Sequence, residues 1–481
     1  MPENPTLPPP QRLHVPMSDG AVLAALRYPG GSAPSPVVVT VTPYRKEAAQ
    51  NADLVAAVLD AGYDVVVADV RGFGGSTGPY RGVLSERESL DTAELLEWLA
   101  DQDFCDGRTA MVGGSYCGVN QLLAAVRRPR GLRCIAPWIA PTDTYRDMWK
   151  RGGIPSHTAW GARTFLNAQR EDTRREGLRH FYSELVDEPF DTDLFHRVDL
   201  DRLDVPALFI GGWQDYFLRG TVRGFRRAAG PKRLLVGNWS HEPFLGPELR
   251  GELVAWLDFW LRDRGEDPTA PGANARLSVF GTDEWTTRGG WPEPDWARWE
   301  PVAEPTPVAV AASLLSTPPA PPTAVHPLVD LATESGMRLW GESAAFDLPV
   351  TRSTALLGHV GLSAVLSVEG CDDVDLHARL SVVRAGGEVQ QVTEGRLRAS
   401  HRAVDAARSG TAEPWHPHDR AEKLPQGEPV VLDVEVYPVH LRLEPGDALR
   451  LGVTVTAADE SGSPATAALL PGTVVLLPGS R

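Results

Sequence analysis

The sequence lacks the patterns that staple a chain, hold a metal or bind a polyanion. It has four cysteines in 481 residues, Cys105, Cys117, Cys134 and Cys371. They are too few and too scattered for a disulfide framework. It contains no CxxC and no HExxH. The best metal-like cluster, His416-Pro417-His418 beside Asp419, lacks a third and fourth ligand nearby and reads as a polar loop. Neither a metal nor any other cofactor is therefore expected. Cations are also in deficit: 47 Lys and Arg face 63 Asp and Glu, a formal charge of −16. That balance leaves no electrostatic footprint for nucleic acid or for an anionic membrane. No window is apolar over the roughly 20 residues of a membrane span. The start, MPENPTLPPPQRLH, lacks the basic stretch and apolar core of a secretory signal. A cytoplasmic protein acting on a small molecule is the expectation, with assembly into homo-oligomers left open.

What is present is enough apolar material, 42% of residues, to build real cores over a length that suggests two or three domains. Val37–Thr42 (VVVTVT) and Val65–Asp69 (VVVAD) are short β-branched runs of the kind buried on both faces of a parallel sheet. A helical stretch, Ala48–Ala61, lies between them and ends at Gly62. Ser85 and Glu88 have capping-box spacing and open a helix to about Asp101. Its Leu90, Ala93, Leu96 and Ala100 are placed toward the sheet, and Glu86, Asp91, Glu94 and Glu97 on a solvated face. Thr109–Gly113 is a third strand, followed by a helix over Val119–Arg127.

This βαβ series predicts an α/β fold. Residues 1–144 and 205–265 are assigned to its core, and 145–204, rich in Arg, Glu, His and aromatics, to a helical cap inserted between strands. The Pro- and Gly-containing stretch Glu266–Asn274 reads as a linker. Beyond it, residues 273–481 alternate in short runs, beginning with Arg276–Phe280, as an all-β sandwich does.

Chemistry concentrates at three strand ends. Ser115 sits in Gly113-Gly-Ser-Tyr-Cys-Gly118, where a strand turns sharply into a helix, the place of a nucleophile elbow. The pattern departs from G-x-S-x-G, because Cys117 stands at its last position. Asp215 follows the strand Ala207–Gly211, and His241 follows Leu234–Gly237. Ser, Asp, His is the chain order of the α/β-hydrolase fold, and ligands bind beyond the C-terminal ends of strands in open α/β sheets. Gly72, Gly74, Gly75 and Gly78 also follow a strand, but their spacing is not that of a dinucleotide loop.

The GGSYCG elbow resembles that of the cocaine esterase/X-prolyl dipeptidyl aminopeptidase family of serine hydrolases. So do VPMSDG at Val15–Gly20, Thr42-Pro-Tyr-Arg-Lys46, Asp69-Val-Arg-Gly-Phe-Gly-Gly-Ser76, Phe104-Cys-Asp-Gly107, GWQD, GNWSH, Glu284-Trp285 and Trp291-Pro292. The resemblance implies a hydrolase core, a helical cap and a C-terminal jelly-roll. It also implies that the Tyr44 hydroxyl and the Tyr116 backbone N–H form an oxyanion hole. Relatives that bind a substrate ammonium, the α-amino acid ester hydrolases, carry acids two and three positions after the catalytic Asp. Phe217 and Leu218 stand there in this chain, so the esterase branch fits better. Acyl transfer and X-prolyl peptidase chemistry use the same groups and stay open.

Overall fold

The computed structural model describes residues 7–31, 34–48, 52–156, 187–241, 245–311, 344–458 and 465–479. The first half builds strands β1 (Gln11–Pro16), β2 (Val22–Tyr28), β3 (Ser35–Thr42), β4 (Asp64–Asp69), β5 (Cys105–Gly114) and β6 (Leu132–Trp138). A small hairpin follows, β7 (Lys150–Arg151) and β8 (Ile154–Pro155), then β9 (Ala207–Gly212), β10 (Lys232–Gly237), β11 (Ala275–Ser278) and β12 (Trp285–Arg288). Interleaved are helices α1 (Ala52–Asp60), α2 (Glu86–Ala100), α3 (Tyr116–Ala125), α4 (Leu218–Arg227) and α5 (Pro247–Arg262).

Ten strands form one sheet in the order β1-β2-β4-β3-β5-β6-β9-β10-β11-β12. From β4 to β11 every neighbour is parallel. Such a sheet needs cover on both faces, and the side-chain alternation supplies it. Val38, Val65, Val67, Val112 and Ile210 pack with Val55, Leu253 and Trp256 of α1 and α5. Val37, Val39, Val66, Met111 and Phe209 point the other way, toward α2, α3 and α4. The continuous β-branched runs are the signature of that two-sided burial.

Two local readings shift. The buried residues of α2 include Glu88, Asp91, Thr92, Leu95, Leu96 and Leu99, so the helix is rotated from the expected face. Asp91 is not solvated: it is 1% exposed and pairs with Arg71 and Arg87, each at 2.6 Å. The strand signal at Arg276–Phe280, assigned above to the C-terminal unit, instead extends the first sheet, because Ala275–Leu277 pair parallel with Leu234–Val236 of β10.

The C-terminal half forms a second ten-stranded sheet. Thr354–Glu369, Val374–Val383, Val389–Arg398, Val430–Leu443 and Ala448–Ala457 are its long strands. All its pairings are antiparallel except Val310–Ala311 with Val455–Thr456. Thr354–Glu369 pairs with strands on either side and folds the sheet back on itself. This is the expected all-β unit beside an α/β core.

His416 and His418 do lie on an irregular loop, but a buried one, and His418 Nδ1 lies 3.0 Å from His401 Nδ1. The expected helical cap is described only at its edges, by a π-helical turn at Thr144–Trp149, the β7–β8 hairpin and a short turn at Leu200–Arg202. Its middle, 157–186, lies outside the described residues. No described helix is long and apolar enough to cross a membrane.

Candidate active site

Strand β5 ends in a backbone that only a sharp turn demands. Gly113 has φ +140°, and Ser115 has φ 54° and ψ −121°. A non-glycine residue held there carries roughly 1–3 kcal/mol of strain. The surroundings enforce it: Ser115 N–H donates to the Trp138 carbonyl of β6 at 3.1 Å, and α3 begins at the next residue. The glycines let the turn fit. A Cβ on Gly118 would lie 2.7 Å from Ala140 Cβ, and one on Gly113 would lie 2.8 Å from Cys117 Cβ. Cys117 therefore fills the last position of the motif as a small buried residue, and burial pushes its thiol up to about 11.

A Cβ on Gly114 would sit 1.8 Å from Trp138 Nε1. Gly114→Ala should therefore displace the indole, cost about 1–3 kcal/mol by overpacking and lower activity with it. Thermal unfolding alongside ester turnover checks this, and a variant with wild-type values for both would contradict the packing described.

Strands β9 and β10 run in register, with Gly212 opposite Gly237, so their C-terminal loops emerge side by side. Trp213 N–H donates to Gly237 O at 3.0 Å and Gln214 N–H to Trp239 O at 3.1 Å, tying the two loops together. Asp215 leaves the first and His241 the second. His241 Nδ1 lies 2.9 Å from Asp215 Oδ1, and His241 Nε2 lies 3.2 Å from Ser115 Oγ. Asp215 is only 2% exposed. The three residues singled out from sequence are thus one hydrogen-bonded relay, 126 and 26 residues apart along the chain.

Tyr216 was not singled out. Its ring stacks on the His241 imidazole, centroids 4.3 Å apart at 20°, while Phe217 meets the same ring edge-on at 5.1 Å. An aromatic pair directly after the acid was the available signal.

Tyr44 lies two residues beyond β3 and is 42% exposed. Its ring centroid is 6.3 Å from that of Tyr116. The loop that carries it is anchored by Asp69, which accepts from Lys46 N–H and Lys46 Nζ, both at 2.7 Å, and from Gly75 N–H at 2.9 Å. A Cβ on Gly74 would lie 2.1 Å from Asp69 Oδ2. The glycine loop therefore wraps a carboxylate of its own, which fills the position a phosphate would need. Tyr116 N–H is the first of α3 and has no carbonyl behind it within the helix.

Among the described residues one trio has metal-like spacing: His359, Glu413 and Glu435 bring ligand atoms within 4.8 Å of one another. Its carboxylates are already engaged, Glu435 with Arg219 at 3.0 Å and Glu413 with Arg226 at 2.5 Å.

Residues 19–243 match the family model described as X-Pro dipeptidyl-peptidase (S15 family). Residues 269–470 match the X-Pro dipeptidyl-peptidase C-terminal non-catalytic domain. Cocaine esterase of Rhodococcus sp. (strain MB1 Bresler) is 30% identical over 347 residues, 59% of this chain and 60% of that protein. The match thus spans about 60% of the length of this curated relative. A CocE/NonD family hydrolase from Staphylococcus aureus superposes with a TM-score of 0.81 at 21% identity, covering 97% of this chain and 93% of that one. An aminopeptidase from a marine sediment Thaumarchaeota archaeon superposes with a TM-score of 0.77 at 17% identity, covering 100% and 98%. At these identities the two structures speak for a shared fold.

Proposed function

The chain belongs to the X-Pro dipeptidyl-peptidase (S15) family, and we propose that it is a serine hydrolase that cleaves an ester, or an amide, of a small-molecule acyl substrate. The observation that carries this is the relay Ser115 Oγ–His241–Asp215, at 3.2 and 2.9 Å, on a strained elbow at the C-terminal edge of the sheet. In this reading His241 takes the Ser115 proton as Oγ attacks the carbonyl. Asp215 holds the Nδ1–H tautomer and offsets the imidazolium charge. The tetrahedral oxyanion is met by the Tyr116 N–H and the Tyr44 hydroxyl. His241 then passes its proton to the leaving group, and water attacks the acyl-enzyme with His241 again as base. No step calls on a cofactor.

The relatives' names divide between an esterase and an aminopeptidase. Supporting the ester reading, Phe217 and Leu218 are buried and apolar, 1% and 0% exposed, where an ammonium-binding site would hold acids. The cap at 145–204, a core over 1–144 and 205–265 that also takes in β11 and β12, a sandwich that therefore begins beyond Arg288 rather than at 273, and a cytoplasmic setting belong to the same proposal. The setting is supported by four buried cysteines, none in a disulfide.

A panel of aryl esters, X-prolyl anilides and alcohol or amine acceptors, together with fluorophosphonate labelling, tests the reading. Esters should turn over, and the label should sit on Ser115. Faster cleavage of the anilides would favour the peptidase, and transfer products would favour an acyltransferase. An unlabelled, inert protein would end the hydrolase reading.

Tyr44→Phe removes one hydroxyl and leaves the ring. It should lower kcat by roughly 10²–10³, with kcat and kcat/KM falling together because the bond is made in the transition state. Steady-state kinetics and a melting curve check this. An unchanged kcat, or a loss explained by a lower Tm, would return Tyr44 to packing.

A further inference from the structure

Helix α2 sends one carboxylate under the elbow. Glu88 is 4% exposed, and both of its oxygens accept from α3: Oε2 from Tyr116 Oη at 2.6 Å, Oε1 from Asn120 Nδ2 at 2.8 Å. The Tyr116 hydroxyl in turn accepts the Leu84 N–H at 3.1 Å. Leu84 has a left-handed backbone, φ 55°. Asn120 Oδ1 accepts from Thr92 Oγ1 at 2.9 Å, which fixes the orientation of the amide. The Tyr116 ring is therefore held at its far end by two buried hydrogen bonds, and its backbone N–H is the one assigned above to the oxyanion.

We propose that Glu88 is a positioning residue of the reaction: as a carboxylate it holds Tyr116, and through it the N–H that meets the oxyanion, and on taking a proton it relaxes that hold. The inference rests on the serine-hydrolase reading. Its chemistry follows from the donors. Two of them already point at Glu88, and a neutral acid adds a third hydrogen to the same space. Tyr116 Oη can accept that hydrogen beside the Leu84 N–H only by turning its own O–H away from its acceptor, so one buried bond is lost.

Burial pushes the Glu88 carboxyl up to about 7, against the downward pull of Tyr116, Asn120 and the Leu84 backbone N–H. Asp91 of α2 adds to the upward push, but Arg71 and Arg87 already neutralise it. On α3 the facing groups are Tyr116 and Cys117, whose acidities burial also weakens. Tyr80, from the loop before α2, acts on the Tyr116 hydroxyl in the same direction. The group thus changes charge near neutrality, and the competent form is the one present at higher pH.

The test is steady-state hydrolysis of p-nitrophenyl acetate from about pH 5 to 9 by wild type, Glu88→Gln, Tyr116→Phe and the double variant, each with its melting curve. Glu88→Gln keeps the shape but, like the neutral acid, puts hydrogens where Asn120 Nδ2, held in its orientation by Thr92, already donates. In wild type, kcat should fall on the acid side with a slope one proton steeper than in Glu88→Gln. Glu88→Gln should show that shallower slope and a kcat roughly tenfold lower at pH 8, with KM within about twofold. Tyr116→Phe cuts the same link from the other side and should also give the shallower slope, which keeps the test open if Glu88→Gln fails to fold. The double variant should be no worse than the worse single one, because both changes remove one connection. An unchanged slope and kcat in Glu88→Gln, or losses that multiply in the double variant, would overturn the proposal. If wild type neither turns over the ester nor takes a fluorophosphonate label, the hydrolase reading itself fails and this inference with it. An active, labelled wild type beside an unaltered Glu88→Gln sinks this inference alone.

Discussion

Ser115→Ala is expected to abolish turnover of activated esters while melting at the wild-type temperature. Alanine keeps the Cβ, so the strained φ of 54° is as costly as before, and only Oγ and its 3.2 Å contact with His241 are lost. In a well-studied serine protease, removal of the corresponding nucleophile costs about 10⁶ in kcat. A loss on that order is expected, with fluorophosphonate labelling gone as well. Ser115→Gly makes an informative partner. Glycine occupies this region without penalty, so it should be equally inactive yet melt higher. Activity near wild type in Ser115→Ala would remove the nucleophile assignment. A Ser115→Gly protein that is no more stable would mean the elbow is not strained as described.

Asp215→Asn should cost about 10⁴ in kcat, as the comparable change does at a serine-protease relay, by favouring the wrong imidazole tautomer. The side chain is fully buried and sits just beyond the end of β9, where the loop's backbone bonds to β10 do not involve the carboxylate. The fold should therefore survive the substitution. Two other aspartates serve as controls. Asp204 makes a surface pair with Arg128, and Asp258 accepts from Tyr63 Oη at 2.6 Å. Asn at Asp204 should be nearly silent. At Asp258 it should shift stability and leave kcat alone. Measured turnover and Tm for all three separate the roles. A nearly silent Asp215→Asn beside a crippled Asp258→Asn would mean that the acid has been misplaced.

The sheet was legible because parallel strands covered on both faces must be continuously apolar, and VVVTVT and VVVAD can be little else. The relay was legible because its three residues each follow such a run, and open α/β sheets place their chemistry there. What stayed hidden depended on partners far along the chain. Ser85 does accept the Glu88 N–H, at 3.3 Å, as the capping spacing predicts. The Glu88 carboxylate ignores the cap and turns to Tyr116, 28 residues on. Asp91 looked solvated because nothing nearby in sequence announces Arg71. His416 and His418 looked polar for the same reason: they are enclosed by Tyr145, Arg146 and Asp433, remote in sequence, and by His401. Tyr44 carried no signal of its own, and only the family resemblance distinguished it from a packing tyrosine.

The last strands of the first sheet come from beyond α5. β11 covers the flank of β10, β12 covers β11, and the chain then runs straight into the second sheet, with Phe280 N–H bonded to His440 O at 2.8 Å. A protein cut near residue 265 would leave β10 as a bare edge, its Leu234–Val236 backbone groups unpaired and ready to template another molecule. On the ribosome the β10 edge stays open until β11 has emerged, and the β11 edge until Arg288 has, so the nascent α/β half is exposed to self-association for that interval. Solubility of a series of C-terminal truncations should therefore recover only once β11 and β12 are included. The two halves were joined by sharing a sheet boundary, and an attempt to express the α/β half alone has to respect where that boundary lies.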